Sequence, residues 1–174
     1  MAKMYILTLL VFIALFGFGN TSSRKAVKEV YLSQVGVREI TGTNDGKEVE
    51  KYLRFSGLGK GNPWCAAFVG WCFHTAGVKA IKSAWSPAWF PAEKIVYTRG
   101  LKTSYQPQSG DVFGIWFKRL GRIAHVGFVD SWEGNVVMTV EGNTNSEGSR
   151  DGDGVYKKRR LKSQIYQVSR WINE

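Results

Sequence analysis

The chain has 174 residues, of which 44% are hydrophobic and 22% charged, and its formal net charge is +10. This length and apolar content exclude a disordered chain and are sufficient for one ordinary domain with a hydrophobic core. The positive charge favours an anionic partner, namely nucleic acid, an anionic membrane surface or an anionic cell wall, and general solubility is the alternative explanation.

Residues 1–19 have the pattern of a signal peptide. Lys3 supplies a positive start, Tyr5–Phe18 is an almost uninterrupted apolar run, and Gly17 and Gly19 are small residues suited to cleavage. The run is shorter than the ~20 apolar residues that a spanning helix prefers, and an uncleaved N-terminal anchor is the alternative. We therefore expect an exported protein, periplasmic or secreted, with no stable membrane insertion after cleavage. Export favours a cell-wall partner and disfavours nucleic acid.

The first half of the chain after this segment predicts helices. Apolar residues recur at helical spacing in SSRKAVKEVYLSQVG (22–36), DGKEVEKYLRFSGLG (45–59) and NPWCAAFVGWCFHTAGV (62–78). Serine at the first N-terminus and Pro63 in the first turn of the third segment are typical helix-start residues. The next segment, 83–100, contains two prolines, and we expect a loop with one short helix there.

The second half changes to the patterns of β-strands. Short β-branched and aromatic segments alternate with glycine-rich turns, as in DVFGIWFK, AHVGFVDSW, NVVMTVE, GVYKKRR and QIYQVSRW. The EGN at 133–135 predicts a tight hairpin, and the basic run 157–160 is interpreted as a solvated strand. Helices followed by strands predict an α+β fold, with N-terminal helices packed on an antiparallel sheet of about five or six strands. We expect residues 20–174 to form a single domain.

Two cysteines, Cys65 and Cys72, lie on the third predicted helix. Seven residues of helix separate them by about 10.5 Å, too far for the Cα spacing of about 7 Å that a disulfide allows. Cys65 is placed at the helix N-terminus, where free N–H groups and the helix dipole favour a thiolate, the nucleophilic form. A buried structural thiol is the alternative for Cys65, and we interpret Cys72 as a packed small hydrophobic residue.

A thiolate nucleophile needs a histidine base, and the sequence has two histidines. His74 falls on the opposite face of the same helix as Cys65, about 13 Å along its axis, and is excluded. His125 lies on a predicted strand whose end can meet the helix start. Glu141 and Asn143 follow on the next strand, two residues apart on one face, and either can fix the tautomer of the imidazole.

The segments NPWCAAFVGWCF, QSGDVFGIWF, IAHVGFV and VEGNTN resemble a CHAP domain, a cysteine, histidine-dependent amidohydrolase/peptidase of the papain-like group that includes the NlpC-type wall hydrolases. The resemblance runs from about residue 25 to the C-terminus. It implies a papain-like fold and hydrolysis of an amide bond in peptidoglycan. It also implies Cys65 as the nucleophile, His125 as the general base and Glu141 as the group that orients the imidazole. Asn143 shares or exchanges the role of Glu141.

Further candidates surround the predicted nucleophile. The oxyanion is expected to bind the backbone N–H of the cysteine and the side chain of Asn62 or another donor. Trp64, Trp85, Trp89 and Trp132 are candidate walls of a substrate groove, and core packing is the alternative for each.

Other classes of function fit the sequence less well. The segment EITGTNDGKEVE lacks a calcium-loop pattern, the two histidines and two cysteines lack zinc-site spacing, and G-x-S-x-G is absent. We therefore expect no cofactor and no metal, and a monomer whose partner is peptidoglycan. A non-catalytic wall-binding module and a secreted antibacterial effector with the same site remain the alternatives.

Overall fold

The structure is a computed structural model that describes residues 22–147 and 151–173. The predicted signal peptide, residues 1–19, lies outside the described residues. Within the described ranges, every helix is too short or too polar to cross a membrane.

The described residues contain three α-helices, and each begins and ends inside a segment predicted to be helical: α1 Ser23–Ser33, α2 Lys47–Phe55 and α3 Cys65–Thr75. The side chain of Ser22 accepts a hydrogen bond from the backbone N–H of Lys25 and caps α1. Helix α3 starts later than its predicted segment because Pro63 and Trp64 precede its first turn. Cys65 is therefore the first helical residue, where its backbone N–H has no partner within the helix.

Six strands form one antiparallel sheet in the order β1-β6-β2-β3-β4-β5. Their bounds are β1 Ile95–Thr98, β2 Val112–Phe117, β3 Arg122–Glu133, β4 Val136–Thr144, β5 Gly154–Leu161 and β6 Gln167–Ser169. The α+β prediction, with N-terminal helices and an antiparallel C-terminal sheet, is confirmed. The hairpin between β3 and β4 has the predicted tight connection.

The prediction of a loop over residues 83–100 is wrong in part. Two short 3-10 helices, Ser86–Trp89 and Ala92–Lys94, are followed by β1 at the edge of the sheet. Both prolines precede the strand, so they do not interrupt its ladder of hydrogen bonds.

The two faces of the sheet carry separate hydrophobic clusters. The larger cluster contains Val112 of β2 with Tyr31 of α1 and Phe68 of α3, so the helices cover this face. The smaller cluster contains Phe113 and Val129. Val112 and Phe113 are neighbours in sequence and point to opposite faces, as the strand geometry requires.

Helix α3 lies against β4 at a glycine. A Cβ atom at Gly142 would lie 2.6 Å from the ring of Trp64 and 2.8 Å from Phe68, closer than real side chains approach. The missing side chain lets the first turn of α3 lie directly on the strand. This contact fixes the position of Cys65 above the sheet.

Candidate active site

Two different elements contribute the cysteine and the histidine. Cys65 opens α3 and is 5% exposed, while His125 lies on β3 and is 1% exposed. The His125 Nδ1 atom is buried and, within the described residues, lacks a hydrogen bond of ordinary geometry. That nitrogen is therefore available to the thiol, and the interaction between thiol and imidazole shifts the pKa of both groups.

The shifts favour a charged pair. Burial by itself would raise the pKa of Cys65, but the interactions with His125, with Ser86 and with the backbone N–H of Val126 lower it below its usual value. Burial by itself would lower the pKa of His125, but Cys65 and Glu141 raise it to about 9. Both shifts favour a thiolate beside an imidazolium over the neutral pair of groups.

The imidazole is held on its other side by a carboxylate. The Oε2 atom of Glu141 on β4 lies 2.8 Å from Nε2 of His125, and both side chains are buried. Gly127 makes room for this contact, because a Cβ atom there would lie 3.0 Å from Cγ of Glu141 and 2.8 Å from the carbonyl oxygen of Val140. With Nε2 donating to the carboxylate, Nδ1 is directed to the thiol.

Arg160 on β5 completes this chain of contacts, and the sequence reasoning missed it. Its Nε donates to Oε1 of Glu141 at 2.6 Å, and its Nη2 donates to Oε2 at 2.5 Å. The interpretation of residues 157–160 as a solvated strand is therefore wrong for Arg160, which is 7% exposed. Burial would raise the pKa of Glu141, but Arg160 and His125 lower it to about 2.

Ser86 is a second side chain near the thiol that no sequence pattern indicates. It starts the first 3-10 helix, is buried, and places its Oγ 3.6 Å from Sγ of Cys65. Its hydroxyl group contributes to the low pKa of the thiol. Only the tertiary fold brings this loop to α3, so no local pattern could reveal it.

Asn143 does not share the role of Glu141. Its backbone is left-handed, with φ 56°, and its Oδ1 accepts a hydrogen bond from the backbone N–H of Trp64 at 3.0 Å. Its Nδ2 donates to Oδ1 of Asn44 and to the carbonyl oxygen of Gly152. Because this backbone is not extended, the side chain does not point to the face of the strand that the sequence predicts. Asn143 therefore positions the start of α3 instead of orienting the imidazole.

A groove opens beside Cys65, and it contains only some of the predicted wall residues. Asn62 and Trp85 line it together with Ser86 and Ala124. The side chain of Asn62 donates to the carbonyl oxygen of Gly59. Larger cavities, of about 420 and 460 Å³, lie elsewhere, but their walls contain neither cysteine nor histidine, so the chemistry assigns the site to the smaller groove.

Three of the four tryptophans proposed as groove walls lie elsewhere, which corrects that expectation. Trp64 and Trp89 are fully buried, and the indole N–H of Trp64 donates to Glu39. Trp132 packs on Tyr97 in the smaller hydrophobic cluster. Core packing, the alternative given for each, describes all three.

In the described part of the chain, no three side chains among histidine, cysteine, aspartate and glutamate lie close enough together to hold a metal ion. Asp45, from the acidic segment before the cysteine, accepts hydrogen bonds from the backbone N–H groups of Ile40 and Thr41. It stabilises its own loop.

Helices packed on an antiparallel sheet, with a helix-start cysteine beside a histidine on a strand, have a papain-like arrangement. The CHAP domain model matches residues 57–143, and the chain belongs to the CHAP family. CHAP domains are generally hydrolases of amide bonds in the cell wall. The matched region includes Cys65, His125 and Glu141 but ends before Arg160.

Two solved structures also match the chain, each with a TM-score below 0.5. "The crystal structure of Ly7917" has 17% sequence identity and a TM-score of 0.46, and the match covers 86% of this chain and 62% of that one. "The crystal structure of Ly7917 with the hydrolyzing product of MDP" has 15% identity and a TM-score of 0.45, covering 85% and 63%. This chain thus spans less than two thirds of the solved chains it matches. No curated protein matches its sequence.

Proposed function

We propose that the protein hydrolyses an amide bond in peptidoglycan, either the N-acetylmuramoyl–L-alanine bond or a bond within the stem or cross-bridge peptides. Membership of the CHAP family supports the substrate class. One observation carries the mechanism: Cys65, His125 and Glu141 form a buried chain in which the thiol has a lowered pKa and the imidazole a raised one.

The proposed reaction is acyl transfer through a thioester. The thiolate of Cys65 attacks the carbonyl carbon of the scissile amide, and the carbonyl oxygen becomes an oxyanion. The backbone N–H of Cys65, free at the start of α3, donates to that oxyanion. His125 in its imidazolium form gives its proton to the leaving amine. Water then attacks the thioester with His125 as the base, releasing the acid and the thiol group.

Glu141 and Arg160 act through the imidazole. The carboxylate accepts a hydrogen bond from Nε2–H of His125 and so stabilises the imidazolium. Two hydrogen bonds from Arg160 keep the carboxylate ionised and fix its plane. Arg160 is thus a positioning residue, and its effect reaches the substrate through Glu141 and His125.

We also propose that the protein acts outside the cytoplasm. The signal-peptide pattern of residues 1–19 and the net charge of +10 support this location, since cell-wall polymers are commonly anionic.

Digestion of purified peptidoglycan tests the function. The unmodified protein is compared with Cys65→Ala and with the matched control Cys72→Ala. The control removes a fully buried thiol on the same helix. We expect soluble fragments from the unmodified protein and from Cys72→Ala and none from Cys65→Ala, and mass spectrometry of the fragments identifies the bond. Binding to the wall without fragments from any of the three would instead support the wall-binding module.

A further inference from the structure

The groove beside Cys65 carries one charged side chain in its described lining, Arg122 at the start of β3. The residue is half-buried, and one guanidinium nitrogen donates to the carbonyl oxygen of Ile123 at 3.1 Å. Within residues 22–147 and 151–173, no carboxylate forms an ion pair with it. Arg160, by contrast, is paired with the carboxylate of Glu141.

An aromatic ring holds this guanidinium at the groove. The Cζ atom of Arg122 lies 4.2 Å from the ring centre of Trp85, within the range of a cation–π interaction. Trp85 is 53% exposed and lines the same groove. A guanidinium has several N–H groups, so the hydrogen bond to Ile123 leaves others that can donate to a carboxylate while Cζ lies over the ring.

We propose that Arg122, stacked on Trp85, is a specificity-determining residue that binds a carboxylate of the substrate beside the scissile amide. The preferred substrates are then peptides with a free carboxylate at that position, and their primary amides are poor substrates. This inference deepens the peptidoglycan hydrolase function proposed above and rests on it. The alternative is that Arg122 only covers the ring of Trp85.

Binding to an inactive protein separates recognition from chemistry. The full chain with Cys65→Ala is titrated with two stem peptides that differ only in a free carboxylate or its primary amide, and binding is followed by calorimetry. We expect the carboxylate peptide to bind about tenfold more tightly, as for a hydrogen bond to a charged group. Adding Arg122→Gln should abolish the preference, and Arg122→Lys should retain part of it, since it keeps the charge without the two-point contact.

Arg119→Gln is the matched control, because Arg119 is an exposed arginine three residues away and outside the groove. It removes the same charge and should leave the preference unchanged. Equal binding of the two peptides, or an equal loss of preference in Arg119→Gln and Arg122→Gln, would overturn the inference.

Turnover of the same two peptides by the protein with its cysteine intact tests the proposed function separately. Hydrolysis of both peptides at equal kcat/KM, together with equal binding, refutes the role of Arg122 and leaves the hydrolase function standing. Preferential binding through Arg122 without hydrolysis of either peptide leaves the carboxylate site standing, and the hydrolase function is refuted if the digestion of whole peptidoglycan also releases no fragments.

Discussion

Replacement of Arg160 by methionine tests the buried chain of contacts behind the imidazole. The substitution keeps most of the side-chain length and removes the positive charge, so the carboxylate of Glu141 stays buried without its strongest partner. The drop in the pKa of Glu141 from 4.5 to about 2 corresponds to about 3 kcal/mol of stabilisation of the ionised form. Removing one partner of a buried ion pair typically costs about 3–5 kcal/mol, which agrees in size.

We therefore expect Arg160→Met to lower the free energy of unfolding at pH 7 by about 3 kcal/mol and Tm by roughly 6–12 °C. Because the pKa of Glu141 is lowered in the folded state, its stabilisation is present above pH 4.5 and is lost as the pH falls towards about 2. In Arg160→Met that pKa rises towards 4.5, so the acid-side loss is smaller and is complete at a higher pH.

Urea unfolding followed by tryptophan fluorescence, at several pH values, measures both effects. Arg159→Met is the matched control, since Arg159 is the preceding residue of the same strand and is exposed. The double substitution Arg160→Met with Glu141→Gln should recover part of the lost stability, because position 141 then carries no buried carboxylate that lacks its arginine partner. Equal unfolding midpoints for the Arg159 and Arg160 variants would refute the argument.

Three further predictions concern the packing and reactivity of the site. Gly142→Ala should lower the free energy of unfolding by about 1–3 kcal/mol, since its methyl group would overlap two aromatic rings. Gly59 has open space around it, so Gly59→Ala should leave the free energy of unfolding unchanged. Thermal unfolding of the two variants tests this, and equal losses would contradict it. Alkylation of Cys65 by iodoacetamide should be accelerated by His125 below about pH 9 and lose this acceleration above it, because the imidazolium, whose pKa is about 9, then deprotonates. An alkylation rate that followed an ordinary thiol titration would contradict this. Ser86→Ala should raise the pKa of that thiol, shifting the acid limb of the alkylation profile to higher pH, and an unchanged profile would remove the hydroxyl from the argument.

The sequence predicts the site residues whose positions depend on local secondary structure. A cysteine at a helix start and a histidine on a strand can be located from helical and strand periodicity, and Glu141 follows from the alternation of the next strand. Arg160 could not be found in this way, because the basic run around it predicts solvent exposure. Lys157 in that run is indeed exposed. The register between β4 and β5, with Val137 opposite Arg160, brings its side chain within reach of Glu141, and register is not readable from one strand.

The tryptophans illustrate the same limit. Composition shows many large aromatic side chains but does not say which are enclosed, and the enclosure of Trp64 depends on Gly142 and Glu39, far away in sequence. The side chain of Asn143, which has a left-handed backbone, likewise bonds to three other segments, at Trp64, Asn44 and Gly152. Sequence patterns predict elements, whereas side-chain roles at element ends depend on contacts between distant segments.

The buried chain from Cys65 to Arg160 also has a consequence for the synthesis of the protein. Its members come from α3, β3, β4 and β5, and β5 is an edge strand that is added to the sheet through β4. Such contacts between distant segments require the closure of long loops of the chain. A growing polypeptide that has not yet extended past residue 160 therefore holds its histidine and glutamate without the arginine that pairs with the carboxylate, so the full chain of contacts exists only once β5 has been made.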